Sequence, residues 1–73
     1  MSPKYRKGQK VQVYNSGQQI IRVIAEVRPI GETWKYSLLE PDTGELCRVY
    51  FGSSNASKVD WQLERWLHPY SGD

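Results

Sequence analysis

The feature that most constrains the fold of this chain is a ladder of three strand-like segments between residues 20 and 51. The three segments are residues 20–28, 33–40 and 45–51. Each one either alternates between apolar and polar residues or is rich in β-branched residues. In the first segment, five β-branched residues fall within eight positions, a density that disfavours a helix. The pattern therefore predicts an antiparallel meander that is packed on one face.

The two turns of this ladder predict which side chains share a face. A first turn at residues 29–32 places Val27 opposite Trp34. The second turn, Pro-Asp-Thr-Gly, has the residues of a four-residue hairpin loop and places Leu38 opposite Cys47. The predicted inward face comprises Ile21, Val23, Ala25, Val27, Trp34, Tyr36, Leu38, Cys47, Val49 and Phe51. The predicted outward face comprises Arg22, Ile24, Glu26, Lys35, Ser37, Leu39, Leu46, Arg48 and Tyr50.

The segments on either side of the ladder complete a single small domain. Residues 10–14 alternate between apolar and polar side chains, which predicts a first strand. Residues 1–9 are polar and basic, which predicts a flexible arm. Turns are expected at residues 15–18 and 52–57, and the last residues, 69–73, should fray. The folded domain is therefore predicted to span residues 10–68.

Residues 58–68 are compatible with two structures. Val59, Leu63, Trp66 and Leu67 fit helical spacing, but the alternation of Val59, Trp61 and Leu63 fits a strand equally well. We expect a short 3₁₀ turn at residues 60–63 and a closing strand at residues 64–68. A closing strand that pairs with the first strand would cover an otherwise open sheet edge.

Several of these segments together resemble the small SH3-like barrels. The basic lead-in, the Lys-Gly-Gln-Lys-Val-Gln-Val strand at residues 7–13, the meander and the closing Asp-Trp-Gln-Leu-Glu-Arg-Trp segment carry the resemblance, which covers about residues 7–68. The entry segment, residues 7–13, is similar to the start of many such barrels, including the KOW, Tudor-like and photosystem-subunit types. The resemblance implies an all-β, five-stranded, partly open barrel with a short 3₁₀ turn before the last strand. It also implies a binding module for nucleic acid, peptides, modified side chains or partner subunits.

The charge distribution suggests which kind of partner to expect. The net charge is only +2, but residues 1–25 contain five basic residues and no acidic one, while residues 26–73 contain five basic and eight acidic residues. Basic arms and Arg- or Tyr-bearing sheet faces suit phosphate contact and base stacking. We therefore predict nucleic-acid binding through Lys4, Arg6, Lys7, Lys10, Arg22, Lys35, Arg48 and Tyr50.

A protein partner is the alternative, because the same outward face also carries apolar side chains. The residues that would bind such a partner are Ile24, Leu39, Leu46, Tyr50 and Trp61. An aromatic cage for a modified side chain is less favoured, since Trp34 and Tyr36 point inward in the predicted registers.

Catalysis, metal binding and a cofactor are not expected. His68 is a single histidine next to Pro69, and Cys47 is a single cysteine that the register places in the core, where burial raises the pKa of a thiol. These two residues fall short of a structural zinc site. No apolar run approaches the length of a membrane span, no secretory signal is visible and no cysteine pair can form, so the chain is expected in the cytoplasm.

Overall fold

A computed structural model describes residues 2–15, 17–52 and 56–70 of the chain. Over these residues the protein is built almost entirely of β-strands, with one 3₁₀ turn and no helix long or apolar enough to cross a membrane. The elements are β1 (Lys10–Asn15), β2 (Gln18–Ile30), β3 (Thr33–Leu39), β4 (Arg48–Tyr50), β5 (Ser57–Val59), β6 (Gln62–Leu63), the 3₁₀ turn (Glu64–Trp66) and β7 (Leu67–Pro69).

Five of the strands form one curled sheet, a half-barrel in the order β6-β3-β2-β1-β7. The last strand pairs antiparallel with the first, with Val13 opposite Leu67. Strands β4 and β5 form a separate two-stranded ribbon. The predicted fold class, an all-β, five-stranded, partly open barrel with a 3₁₀ turn before its last strand, is thereby confirmed.

The first hairpin contains a β-bulge that the sequence analysis did not anticipate. The turn comprises only residues 31–32, so Val27 lies opposite Tyr36, and the predicted turn at residues 29–32 with Val27 opposite Trp34 is wrong. Beyond a register shift between Ile24 and Glu26 the partner of Ile24 is Leu38. The bulge adds one residue to β2, which moves every residue before it to the other face of the sheet. Ile24 is therefore in the core with 1% of its surface exposed, and its predicted outward position is wrong.

The predicted register of the second turn holds only near that turn. Leu39 forms a β-bridge with Leu46, and the amide of Cys47 donates to the carbonyl of Leu38 at 2.8 Å, as predicted. After Cys47 the chain leaves β3 and pairs with β5 instead, so Val49 and Phe51 are exposed and their predicted inward positions are wrong. The short strand β6 occupies the edge of β3 that they were expected to fill.

The C-terminal segment has the predicted elements at different positions. The 3₁₀ turn begins at Glu64 rather than at residue 60, and the closing strand spans Leu67–Pro69 rather than residues 64–68. The helical alternative for residues 58–68 is excluded, because β5 and β6 lie in this segment. The 3₁₀ turn connects β6, at one edge of the sheet, to β7, which pairs with β1 at the other edge.

The core lies inside the curl of the sheet and includes a residue from the N-terminal segment. Its buried apolar members are Tyr5, Val11, Ile24, Tyr36, Leu38 and Leu67, with Val13, Val27, Trp34 and Cys47 packed against them. Tyr5, which was assigned to the flexible arm, is only 2% exposed. The packed unit therefore extends on both sides of the expected residues 10–68, from Tyr5 to Pro69.

Parts of the predicted arm, turns and tail lie outside the described residues. These parts are Met1, Ser16, residues 53–55 and residues 71–73.

Candidate nucleic-acid interface

One outer surface of the barrel is formed where the first and last strands pair. Val11 of β1 is buried, so the alternating side chains of Lys10, Gln12 and Tyr14 project from the opposite face of the strand. Gln12 lies opposite His68 of β7, which brings the His68 ring beside Tyr14. The two ring centroids are 4.6 Å apart with planes at 84°, an edge-to-face contact.

Two further contacts complete this surface. The ammonium of Lys10 lies 5.7 Å from the centroid of the Tyr70 ring, which follows β7. The side-chain amide of Gln19 on β2 donates to the hydroxyl of Tyr14 at 3.0 Å. We call this surface the β1–β7 face, defined by Lys10, Gln12, Tyr14, Gln19, His68 and Tyr70. None of these residues is acidic, and Lys10, Tyr14 and His68 are exposed.

The basic N-terminal residues lie at the start of β1. Lys4, Arg6 and Lys7 are exposed, and the backbone that carries them turns tightly. The amide of Gln9 donates to the carbonyl of Arg6 at 3.0 Å, and the amide of Gly8 donates to the carbonyl of Ile24 at 2.8 Å. This segment therefore places three more exposed positive charges directly before β1.

A partly buried hydrogen-bond cluster holds the N-terminal segment in place. The Tyr36 hydroxyl donates to Glu64 Oε2 at 2.6 Å and accepts the amide of Tyr5 at 3.2 Å. The same Glu64 oxygen accepts the amide of Lys4 at 2.9 Å, and the Tyr5 hydroxyl donates to the carbonyl of Leu67 at 3.2 Å. We call these contacts the N-terminal latch. Burial, followed by the hydrogen bond to Glu64, raises the pKa of Tyr36 to about 12.

The residues predicted to share one outward face do not lie together. Ile24 is in the core, and Lys35 lies with its ammonium 4.8 Å from the centroid of Trp61. Arg28 approaches the same indole at 5.7 Å, so Trp61 is half-buried and covered by cations. Leu39 is half-buried beside Leu46. Because the bulge and the early departure of β4 separate these side chains, the predicted patch is wrong as a single surface.

Arg22, Arg48, Leu46 and Tyr50 instead line a cleft between the sheet and the ribbon. The cleft has a volume of about 550 Å³ and is also lined by Val13, Tyr14, Ile20, Leu38, Glu40, Glu45, Cys47, Asp60 and Gln62. Its three carboxylates outnumber its two guanidinium groups. The net negative charge of the cleft therefore disfavours binding of a phosphate backbone, even though two arginines line it.

The charged groups of the cleft surround the Cys47 thiol. Burial raises the pKa of Cys47, with smaller upward contributions from Glu40 and Asp60, while the Arg22 guanidinium opposes the rise. The thiol is therefore poorly ionised at neutral pH, as the sequence analysis expected. Arg22 also donates to the carbonyl of Ile21 at 2.9 Å. Among the described residues, no group of three or more His, Cys, Asp or Glu side chains is placed to hold a metal ion.

Only Lys10 of the β1–β7 face was predicted as a site residue, and the aromatic residues that were missed are Tyr14, His68 and Tyr70. The signal was present, since Tyr14 falls on the outward alternation of β1 and β7 was expected to pair with β1. His68 was considered alone, and its contact with Tyr14 depends on the register of two strands more than 50 residues apart in the chain. Comparison with known protein families, with curated proteins and with solved structures finds no match to this chain.

Proposed function

We propose that this domain is a non-catalytic module that binds nucleic acid through the β1–β7 face and the adjoining residues Lys4, Arg6 and Lys7. The observation that supports this proposal is the composition of the surface. Four exposed cations lie on one continuous acid-free segment, Lys4 to Lys10, next to the exposed rings of Tyr14 and His68. Cations suit phosphates, and exposed aromatic side chains on a sheet suit the faces of bases.

The expected affinity is modest and depends strongly on salt. If Lys4, Arg6, Lys7 and Lys10 each neutralise one phosphate, the logarithm of the binding constant falls with the logarithm of salt concentration with a slope of about −3 to −4. Arg22 and Arg48, which were predicted to take part, face the carboxylates of the cleft and are not expected to contribute. We place this binding in the cytoplasm, where the sequence analysis expects the chain.

The test is a fluorescence anisotropy titration of labelled DNA and RNA at low and at physiological salt. The matched variants are a charge reversal of Arg6 and Lys7 and a charge reversal of Lys58, an exposed lysine on β5. The first should weaken binding and reduce the salt slope, whereas the second should change neither. No binding by the wild-type chain at low salt would refute the proposal.

A protein partner remains a second proposal, supported by a different observation. The chain around the ribbon exposes several large apolar side chains, and these are Leu46, Val49, Tyr50 and Phe51. Exposed apolar patches of this kind mark interaction surfaces. Of the residues first expected to bind protein, Leu46 and Tyr50 stay accessible, whereas Ile24 is buried and Trp61 is covered.

This second proposal is tested by affinity purification from the native cell with Tyr50→Asp and Tyr14→Asp variants. Loss of a stoichiometric partner only with Tyr50→Asp supports the ribbon. Retention of every stoichiometric partner by Tyr50→Asp would refute it.

A further inference from the structure

The N-terminal latch changes what the basic segment can do. A free basic arm can follow the minor groove of a duplex, but here Tyr5 is buried between β3 and β7. Backbone amides on both sides of Tyr5 are also held, Lys4 by Glu64 at 2.9 Å and Gly8 by Ile24 at 2.8 Å. The backbone that carries Lys4, Arg6 and Lys7 is therefore held against the barrel directly before Lys10.

The shape of the β1–β7 face is poorly suited to a duplex. The sheet curls around its core, so the face opposite the buried Val11 and Leu67 is the convex one. Reading a duplex requires an element that enters a groove, such as a helix or a projecting ribbon in the major groove. A convex sheet surface touches a duplex along a narrow contact, but a flexible single strand can follow its curvature.

The aromatic groups of this face are arranged for unpaired bases. Tyr14 is 50% exposed, and its hydroxyl is held by Gln19. An edge-to-face pair covers at most one face of either ring, so both Tyr14 and His68 keep a broad ring face that their partner does not cover. Bases in a duplex are stacked on their neighbours, and only unpaired bases can use such a ring.

From these observations we infer that the nucleic acid bound by the β1–β7 face is single-stranded. Its phosphates follow the latched cations from Arg6 to Lys10, and a base stacks on Tyr14. Tyr5, Tyr36 and Glu64 are positioning residues, because they hold the cations in register with Tyr14. The inference rests on the proposed nucleic-acid binding. It covers DNA and RNA alike, since both offer a phosphodiester backbone and unpaired bases.

The experiment compares oligothymidylate and oligouridylate of about a dozen nucleotides, within the range of single-strand binding sites, with a duplex of the same length. We expect both single strands to bind at least about fivefold more tightly than the duplex, as the stacking of one base would give. Tyr14→Leu should weaken single-strand binding by about fivefold to a hundredfold and leave duplex binding nearly unchanged. The matched control, Tyr50→Leu, removes a more exposed tyrosine outside the face and should have no effect.

The latch is tested separately through the salt dependence of single-strand binding. Tyr36→Phe removes the hydroxyl that holds Tyr5, and Glu64→Gln removes the charge that holds both Tyr36 and Lys4. If the latch positions the cations, both variants reduce the slope of the logarithm of the binding constant against the logarithm of salt concentration by about one or more in magnitude. The circular dichroism spectrum of both variants should remain that of a folded protein. A variant that is only less stable would keep the wild-type slope below its melting temperature.

The outcomes separate this inference from the proposed function. Absence of binding to every oligonucleotide refutes the proposed function. Equal or tighter binding of the duplex refutes the single-strand inference and leaves nucleic-acid binding in place. Equal loss of single-strand binding in the Tyr14 and Tyr50 variants moves the site to the cleft, which both residues line, and also overturns the inference.

Discussion

Replacing Tyr36 by Phe should destabilise this domain more than its small change in volume suggests. The ring would keep its place in the core, but the hydroxyl makes two contacts, a 2.6 Å bond to Glu64 and a 3.2 Å bond from the Tyr5 amide. A hydrogen bond to a charged group is worth about 1.5–3 kcal/mol, and a buried amide left without its acceptor costs about 1–3 kcal/mol. Since Glu64 retains the Lys4 amide, we expect a net loss of about 2–4 kcal/mol in the free energy of unfolding.

That loss is large compared with the stability of so small a domain. At about 0.05–0.15 kcal/mol per residue, a chain of 73 residues has a free energy of unfolding of about 4–11 kcal/mol. The melting temperature should fall by about 10–25 °C. Urea unfolding followed by tryptophan fluorescence would give the free energy, and an unchanged slope against urea would show that the folded state is intact.

The matched control is Tyr50→Phe, which removes a hydroxyl from a side chain that is 69% exposed. Exposed changes of this kind usually alter stability by less than about 0.5 kcal/mol. If the two variants are equally stable, the Tyr36 hydroxyl contributes nothing and the latch is not a stabilising element.

The pKa of Tyr36 extends this prediction to alkaline pH. Burial and the hydrogen bond to Glu64 raise the pKa of Tyr36 from 10.0 in the unfolded chain to about 12 in the folded one. The unfolded chain therefore loses this proton first, so the contribution is complete below pH 10 and is lost as pH rises from about 10 to about 12. Tyr36→Phe should remove this part of the loss of stability at alkaline pH. Titration of the other tyrosines affects the wild-type protein and the variant alike. An identical pH dependence of the two proteins would contradict the assignment.

Three further outcomes are expected from the described contacts. Ile24→Ala should lower the free energy of unfolding by about 2–4 kcal/mol because Ile24 is buried, whereas Leu46→Ala should lower it by less than about 1 kcal/mol. Similar losses for the two variants in urea unfolding would contradict the bulge and favour the predicted register without it. Cys47 should react slowly with a thiol reagent at neutral pH and faster after unfolding in urea, since its pKa is raised; equal rates would disprove the burial. Gly31→Ala should cost about 1 kcal/mol because the φ angle of Gly31 is 59°, while Glu32→Ala beside it should be nearly neutral; thermal unfolding measures both.

The hairpin between β2 and β3 shows how far alternation alone can predict a sheet. Strand identity and antiparallel pairing follow from the β-branched run. The inward faces of Val27, Trp34 and Tyr36 are as predicted, because the observed register differs from the predicted one by two residues and a shift of two keeps each side chain on its face. The bulge leaves only a faint sequence signal, because apolar residues occur at both odd and even positions between residues 20 and 27. That mixture fits either a strand with two semi-apolar faces or a strand that changes face midway. The pairing of Ile24 with Leu38 shows that the strand changes face midway.

The departure of β4 from the sheet shows a second limit. The Leu39–Leu46 bridge obeys the predicted register because the four-residue turn fixes it locally. Three residues from Leu39 along the same edge of β3, Tyr36 pairs with Gln62 of β6 instead of with β4. The turn rule considers only neighbouring residues and therefore cannot predict this pairing, since β6 lies more than 20 residues after β3 in the chain. The N-terminal segment follows the same logic, because a single apolar residue among basic ones, Tyr5, gives no periodic pattern.

The fold converts the charge asymmetry of the sequence into a separation in space. Strand β1 follows the acid-free N-terminal segment and pairs with β7, whereas Glu40 and Glu45 flank the turn after β3, and Asp60 joins them in the cleft. Strand β2 lies between β1 and β3 in the sheet, and the two surfaces meet at Tyr14, which also lines the cleft. The residues that define the β1–β7 face include no carboxylate, whereas three carboxylates line the cleft. The contacts that close the half-barrel also create its basic face, and so the latch connects the stability of the domain to the surface that we propose it uses.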